Sequence, residues 1–214
     1  TSVLDIRTNT LTIANAVSGP GFLGGSDSAN LTLRGTTGTV SFVTGKQILK
    51  NLTLVNSSTA TLGTALDITG GKAQGNEGTV TVTGTAVLTT GGNLSLKSNI
   101  NGTARVAPGA VTGGYISGAV SVERYLSSIR SWRFLAAPTY GQTIHQAWQE
   151  NEPSGVNLGS NYGTNITSNA ATWLADGFDF QTPGNSLLIY NSAANGWDGA
   201  ANTSSQISAA GANK

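Results

Sequence analysis

His145 is the only histidine of the chain, and it stands close to Trp148 and Glu150. As a general base it would need a partnered nucleophile or acid. No serine sits in a Gly-x-Ser-x-Gly elbow. Cysteine is absent, which excludes thiol catalysis, thiolate metal sites and disulfides. His145 therefore reads as an ordinary, partly buried histidine. Paired carboxylates could cleave a glycosidic bond. The local acidic clusters are Asp176 with Asp179 and Glu150 with Glu152, and turn chemistry and capping account for them. Asp5, Asp27, Asp67 and Glu77 are scattered over the first half, which weakens a polysaccharide lyase. Asp176-Gly177-Phe178-Asp179 and Asn195-Gly196-Trp197-Asp198-Gly199 could lend oxygen ligands to a structural Ca²⁺. Neither matches an EF-hand or a Gly-Gly-x-Gly-x-Asp repeat. The expectation is a protein that is not an enzyme, with no catalytic residue and no cofactor.

Aromatic side chains could do a different kind of chemistry, stacking on sugar rings or on another subunit. Trp132 and Trp148 lie in apolar surroundings and are expected in a core, since aromatics dominate small cores. Trp173 and Trp197 lie in polar surroundings and, with Tyr162, are the candidate contacts for a glycan or a subunit. Thr-x-Thr pairs at Thr10/Thr12 and Thr79/Thr81/Thr83 raise an ice-binding alternative, set aside because the pairs do not recur at the same point of every repeat. Asn-x-Ser/Thr occurs at Asn30, Asn51, Asn56, Asn93, Asn101, Asn165 and Asn202, an excess that follows from the abundance of Asn and Thr.

The elements that must carry these residues follow from a phrase that returns. Asn30-Leu31-Thr32-Leu33 recurs as Asn51-Leu52-Thr53-Leu54, 21 residues on, and as Asn93-Leu94-Ser95-Leu96, 42 further. Thr10-Leu11-Thr12-Ile13 sits one step earlier. Short alternating strands at a fixed step, punctuated by Gly and Asn, are a solenoid signature. Candidate strands fall at 3–6, 10–13, 30–33, 39–43, 52–55, 60–62, 65–68, 79–83, 86–89, 94–96 and 104–106. The expected fold is all-β: a right-handed parallel β-helix of about 20–21 residues per coil, followed by a small β-rich module with one short helix. Inward Leu, Val and Ile would stack into one core, and Asn at equivalent corners could form a ladder of amide hydrogen bonds. An antiparallel sandwich would use strands of the same length but does not call for a fixed step.

Composition changes near Gly113-Gly114. Beyond it lie all four Trp, all five Tyr and three of the five Phe. The expected domains are 1–117, the β-helical repeats, and 118–214, an aromatic-rich β module incomplete at its C-terminus. In the second, strands are expected at 120–125, 131–136 and 186–190, with a short helix at 143–148. After Asp198 the sequence is small and polar, with little apolar mass to fold on its own.

Charged residues make up 10% of the chain and the net charge is +1, so no basic field exists to attract nucleic acid. No apolar run approaches the ~20 residues of a membrane span. Methionine is absent even from position 1, as expected of a chain trimmed after export.

The run Val120-Ser121-Val122-Glu123-Arg124-Tyr125, then Ser131-Trp132-Arg133-Phe134-Leu135-Ala136-Ala137-Pro138, then Thr143-Ile144-His145-Gln146-Ala147-Trp148-Gln149-Glu150, resembles a recurring module of large secreted surface proteins of the Bacteroidota, often exported by the type IX pathway. Asn161-Tyr162-Gly163-Thr164-Asn165-Ile166-Thr167, Gly177-Phe178-Asp179 and Asn185-Ser186-Leu187-Leu188-Ile189-Tyr190-Asn191 continue the likeness in order, over about 118–200. The first half is similar to the β-helical, adhesin-like regions that precede such modules. The resemblance implies an extracellular or cell-surface protein, proteolytically processed, with no catalytic residues. Such modules run on into another hydrophobic strand, whereas here the sequence stops at Lys214; trimming, or a strand supplied by a neighbour, would explain the departure. Asp27-Ser28-Ala29 resembles the short O-glycosylation motif of the same phylum and marks Ser28. The expected function is an extracellular structural or adhesive protein that assembles with itself into a filament or surface layer by strand complementation, with surface glycans as a further partner. The alternative is a carbohydrate-binding module or a β-helical polysaccharide-acting protein.

Overall fold

The computed structural model describes residues 2–108, 114–127, 131–135, 141–150 and 163–207. The chain divides into two units, Thr1–Arg130 and Ser131–Lys214. The division lies beyond the change in composition, because Val120–Val122, expected in the second domain, is a strand of the first unit, paired with Leu94–Leu96.

The first unit is all-β and is built from three parallel sheets. The first sheet holds, in spatial order, Thr10–Ile13, Asn30–Leu33, Asn51–Leu54, Thr79–Val82 and Arg105–Val106. The second holds Thr36–Val40, Thr59–Leu62, Val87–Thr89 and Tyr115–Ser117. The third holds Ile48–Leu49, Leu66–Ile68, Leu94–Leu96 and Val120–Val122. From Asn30 onward the chain visits the three sheets in the same rotation four times. Val3–Asp5 and Phe22–Gly24 form a further parallel pair, which Leu23 extends to Phe42.

Alternation explains why these segments become strands. The second and fourth residues of the Asn30 and Asn51 phrases face in and the first and third face out, so a one-residue slip would expose every leucine. Leu11, Leu31, Leu52 and Val80 stand in register, as do Ile13, Leu33, Leu54 and Val82. The second and third sheets add Leu62, Leu88, Leu66, Ile68 and Leu94, and the whole forms one continuous core. Each such side chain removed from water contributes about 1.5–3 kcal/mol. Gly25 belongs where the chain passes closest to itself: a Cβ there would lie 2.1 Å from the Ile48 carbonyl oxygen.

The step between equivalent residues is not constant. It is 20 from Thr10 to Asn30 and 21 from Asn30 to Asn51, then 28 from Asn51 to Thr79 and 26 from Thr79 to Arg105. The third copy of the sequence phrase is therefore not the third rung: Leu94 lies in the third sheet, beside Leu66, and Thr79 takes the place after Asn51. The extra residues form the excursion 69–78, where Asn99 of the hairpin Ser98–Asn99/Gly102–Thr103 donates to the Gly71 carbonyl at 2.9 Å. Thr12, Thr32, Thr53 and Thr81 do make one file in register. The pairs do not recur, because Asn30 and Asn51 replace the first threonine of each pair.

In the second unit the expected strand at 131–136 is not formed: 131–135 is irregular, and Ala136 lies outside the described residues. Trp132, expected in a core, is 71% exposed as a result. The short helix is present as Ile144–Ala147. Thr143 caps it and Gln146 completes a capping box, each satisfying a backbone N–H that the first turn leaves free. Leu188–Asn191 and Gly196–Gly199 form an antiparallel hairpin, and Thr167–Ser168 pairs in parallel with Phe180–Gln181. The core is small: Ile144, Ile166, Phe178 and Ala200, with Trp148, Trp173, Leu187 and Ile207 against it. The small polar segment after Asp198 is thus built into this core through Ala200 and Ile207, and Thr203 is buried. Among the described residues no helix is long and apolar enough to cross a membrane.

Candidate functional site

Three features of the surface could carry function. The first is the outer edge of the initial strands. Among the described residues Thr10–Ile13 is the terminal strand of its sheet, paired on one side only, to Asn30–Leu33. Nearby in the chain, Val3, Leu4 and Val17 are exposed. An unpaired strand edge with apolar neighbours is a template for another strand. Behind it the corner asparagines stack as expected, Asn51 Nδ2 donating to Asn30 Oδ1 at 2.7 Å.

The second is the hairpin of the second unit. Tyr190 and Trp197 are directly paired across it, with ring centroids 5.2 Å apart, and Phe134 lies 5.7 Å from Trp197. Trp197 is 51% exposed and Phe134 91%. Tyr190 is fixed by its hydroxyl, which donates to Asn195 Oδ1 at 2.7 Å. Of the other predicted contacts, Trp173 packs against the second core and is only half-exposed, and Tyr162 lies outside the described residues. Phe134 and Tyr190, unmarked in the sequence, are the aromatic neighbours of Trp197 among the described residues.

The third is a polar cleft of about 400 Å³ lined by Thr143, His145, Gln146, Asp176, Asn202 and Ser204. Three segments make its walls, and backbone hydrogen bonds stitch them together. The His145 N–H donates to Thr203 O at 2.8 Å, Ile144 N–H to Ser205 O at 3.0 Å and Thr203 N–H to Asp176 O at 2.9 Å. Behind His145 lie two fully buried polar side chains, Gln149 and Asp179. Gln149 Nε2 stands 3.1 Å from both carboxylate oxygens of Asp179 and 3.1 Å from the Gly177 carbonyl. Its Oε1 faces His145 Nδ1 at 3.1 Å. Asp179 also accepts from the Ile166 N–H, so its carboxylate ties the helix to the strand region. Gly163 lets the chain close over Trp148, whose carbonyl would be 2.0 Å from a Cβ at that position. Gln149 was not singled out from sequence. The available signal was its place four residues after His145, the spacing at which helical side chains meet.

Among the described residues the acidic side chains do not converge, and Glu152, expected beside Glu150, lies outside them. Asp5 pairs with Lys46 at 2.5 Å, Asp27 with Lys72 at 2.9 Å, and Glu77 accepts from the Gly75 N–H at 3.0 Å. Asp176 accepts from Thr172 Oγ1 at 2.6 Å, the turn role expected of it, whereas Asp179 is buried in the amide relay. Among the described residues no three His, Cys, Asp or Glu side chains form a group able to hold a metal. Ser28 is half-buried in a tight turn, its hydroxyl donating to Asp27 Oδ1 at 3.2 Å. Comparison with protein-family models, with characterised proteins and with solved structures finds no match to this chain.

Proposed function

We propose that this chain is an extracellular structural or adhesive protein whose first unit is a right-handed parallel β-helix and which joins other copies into a filament or surface layer. The observation that carries the reading is the strand Thr10–Ile13, left with one unpaired edge at the end of a stack of parallel strands. Stacked repeats need a cap or a neighbour at each end. A surface with 10% charged residues offers little repulsion to a neighbour's approach. The likeness to processed surface proteins of the Bacteroidota points the same way, and the role requires no catalytic residue. Electron microscopy of the purified native protein tests it. Regular filaments that vanish when Thr10 and Thr12 are both changed to Lys, with the circular dichroism unchanged, are the expected result. Isolated particles at every concentration would overturn the reading.

A second reading, carbohydrate contact by the aromatic hairpin, is favoured by the exposure of Trp197 beside Tyr190 and Phe134. Aromatic faces stack on the apolar faces of sugar rings. Glycan-array binding lost in Trp197→Ala would support it, and an array on which this variant matches the native protein would dispose of it.

A further inference from the structure

We propose that the polar cleft beside the helix Ile144–Ala147 binds a neutral polyhydroxylated ligand, a saccharide unit, and that His145 is its oriented hydrogen-bonding residue. The inference does not rest on self-assembly, nor does it use the aromatic hairpin.

The orientation of His145 follows from its neighbours. Gln149 Nε2 faces three acceptor atoms, the two oxygens of Asp179 and the Gly177 carbonyl, and only the amino end of the amide can donate to them. The carbonyl end is thereby turned to His145, whose Nδ1 must carry the proton to make the 3.1 Å contact. A neutral imidazole that donates from Nδ1 keeps a lone pair on Nε2. Proteins hold a ligand-facing histidine in this way, with a hydrogen-bonded group behind the ring that fixes its tautomer. Packing alone would not call for the arrangement. Burying Gln149 and Asp179 completely costs desolvation that only a full set of partners offsets.

The lining chooses the ligand. Among the described residues the lining holds no Lys or Arg to favour an anion, and no large apolar side chain. The one carboxylate among the described lining residues, Asp176, is too little charge for a cation site. What remains is a mixture of donors and acceptors. Asp176 Oδ2 is engaged by Thr172, which leaves Oδ1 to accept. Asn202 Oδ1 accepts from Ser204 Oγ at 2.8 Å and Ser205 Oγ at 2.9 Å, which leaves Nδ2 to donate. Sugar hydroxyls both donate and accept, and so match such a wall. The volume of about 400 Å³ lies at the lower end of the range of small-ligand sites, ~300–1,000 Å³.

The test is isothermal titration of the full chain with glucose, galactose, mannose, N-acetylglucosamine and their β-linked disaccharides, with galacturonate and inorganic phosphate as anionic comparisons. Saturable binding of a neutral sugar is expected. It should weaken about tenfold, the loss of one to two hydrogen bonds, in His145→Ala and in Asp176→Asn, and stay unchanged in Trp197→Ala. Ring-nitrogen NMR of the native protein gives a readout that needs no variant: His145 should be the Nδ1–H tautomer, and its Nε2 resonance should move on sugar addition. Absence of binding by every neutral sugar, preference for an anion, undiminished binding by His145→Ala, or the Nε2–H tautomer would each overturn the proposal.

Discussion

Asn51 and Asn30, 21 residues apart in sequence, lie one above the other with Nδ2 of the first 2.7 Å from Oδ1 of the second. The same Asn51 uses its Oδ1 to accept the Thr79 N–H at 3.1 Å, so a single side chain couples three successive strands of the first sheet. The ladder stops there because Thr79, not a third asparagine, occupies the next rung.

Asn51→Ala should therefore cost more than Asn30→Ala. The first takes from Asn30 Oδ1 its donor and from the Thr79 N–H one of its two acceptors, the Lys50 carbonyl at 3.0 Å remaining, whereas the second removes the same bond between the asparagines and only a long 3.4 Å bond to the Ser28 carbonyl. A loss of about 1–3 kcal/mol is expected for Asn51→Ala and about 1 kcal/mol for Asn30→Ala. Urea denaturation midpoints at constant slope measure both, and equal losses would show that the coupling to Thr79 contributes nothing.

Thr37 is a place where the fold runs against its own chemistry. Its side chain is fully buried in the strand Thr36–Val40, and Oγ1 finds no hydrogen-bond partner among the described residues. Thr37→Val keeps the shape and removes the unmet hydroxyl. Stability should stay level or rise by about 1–3 kcal/mol, the usual cost of a buried polar group left alone. A lower denaturation midpoint in the valine variant would mean that Thr37 Oγ1 is satisfied after all.

Such exceptions show what could and could not be read from the residues. The stack of Leu31 on Leu52 was legible, because a period of two inside a fixed step leaves only one arrangement that buries every leucine. The placing of Leu94 was not. The excursion 69–78 lengthens one circuit, and a phrase of four residues repeats in a different sheet without any local sign of the change. Trp132 misled for another reason: its segment alternates like a strand, but 131–135 forms no strand. The relay from His145 through Gln149 to Asp179 spans a separation of 30 residues between its last two members, beyond the reach of any spacing rule. The spacing of His145 and Gln149 was visible, and their purpose was not.

The charged pairs set the behaviour with pH. Hydrogen bonding to Glu123 is the main cause that holds the Lys97 ammonium above the ordinary lysine value; partial burial opposes it, and the Coulomb attraction of Glu123 and Asp67 adds to it. Its contribution is complete below the ordinary value, ~10.4, and is lost as pH rises through the raised one. Asp5, held below the ordinary carboxylate value first by Lys46 and then by the Arg7 N–H, behaves oppositely. Its contribution is present above the ordinary value and is lost as pH falls through the lowered one. Both Lys97 and Glu123 are more than a third exposed, so solvent screening limits the pair to about 0.2–1 kcal/mol. The difference in melting temperature between the native protein and Lys97→Met should be small and constant from pH 6 to 9 and should shrink above about pH 10.5. A difference that persists undiminished to pH 12 would mean that Lys97 acts through its methylene stem alone.

Gln149→Glu offers the sharpest view of the second unit. The native amide donates to both oxygens of Asp179, and all three groups are shut away from water. Replacing the amide by a carboxylate removes the donor and sets two negative charges about 3 Å apart in a medium where repulsion is strong. Two carboxylates so placed cannot both stay ionised, and the pair would take up one proton. That proton is bound in the folded state at a pH where the unfolded carboxylates are bare, so the variant must gain relative stability as pH falls and lose it as pH rises. Gln149→Met, which fills the same space without charge, removes the donor but adds no repulsion. It should cost about 2–4 kcal/mol at every pH, while Gln149→Glu should cost more than this at pH 8 and less at pH 4. Denaturation of both variants across that range settles the matter, because a methionine variant and a glutamate variant with parallel profiles would mean that residue 149 does not face Asp179 in the folded protein.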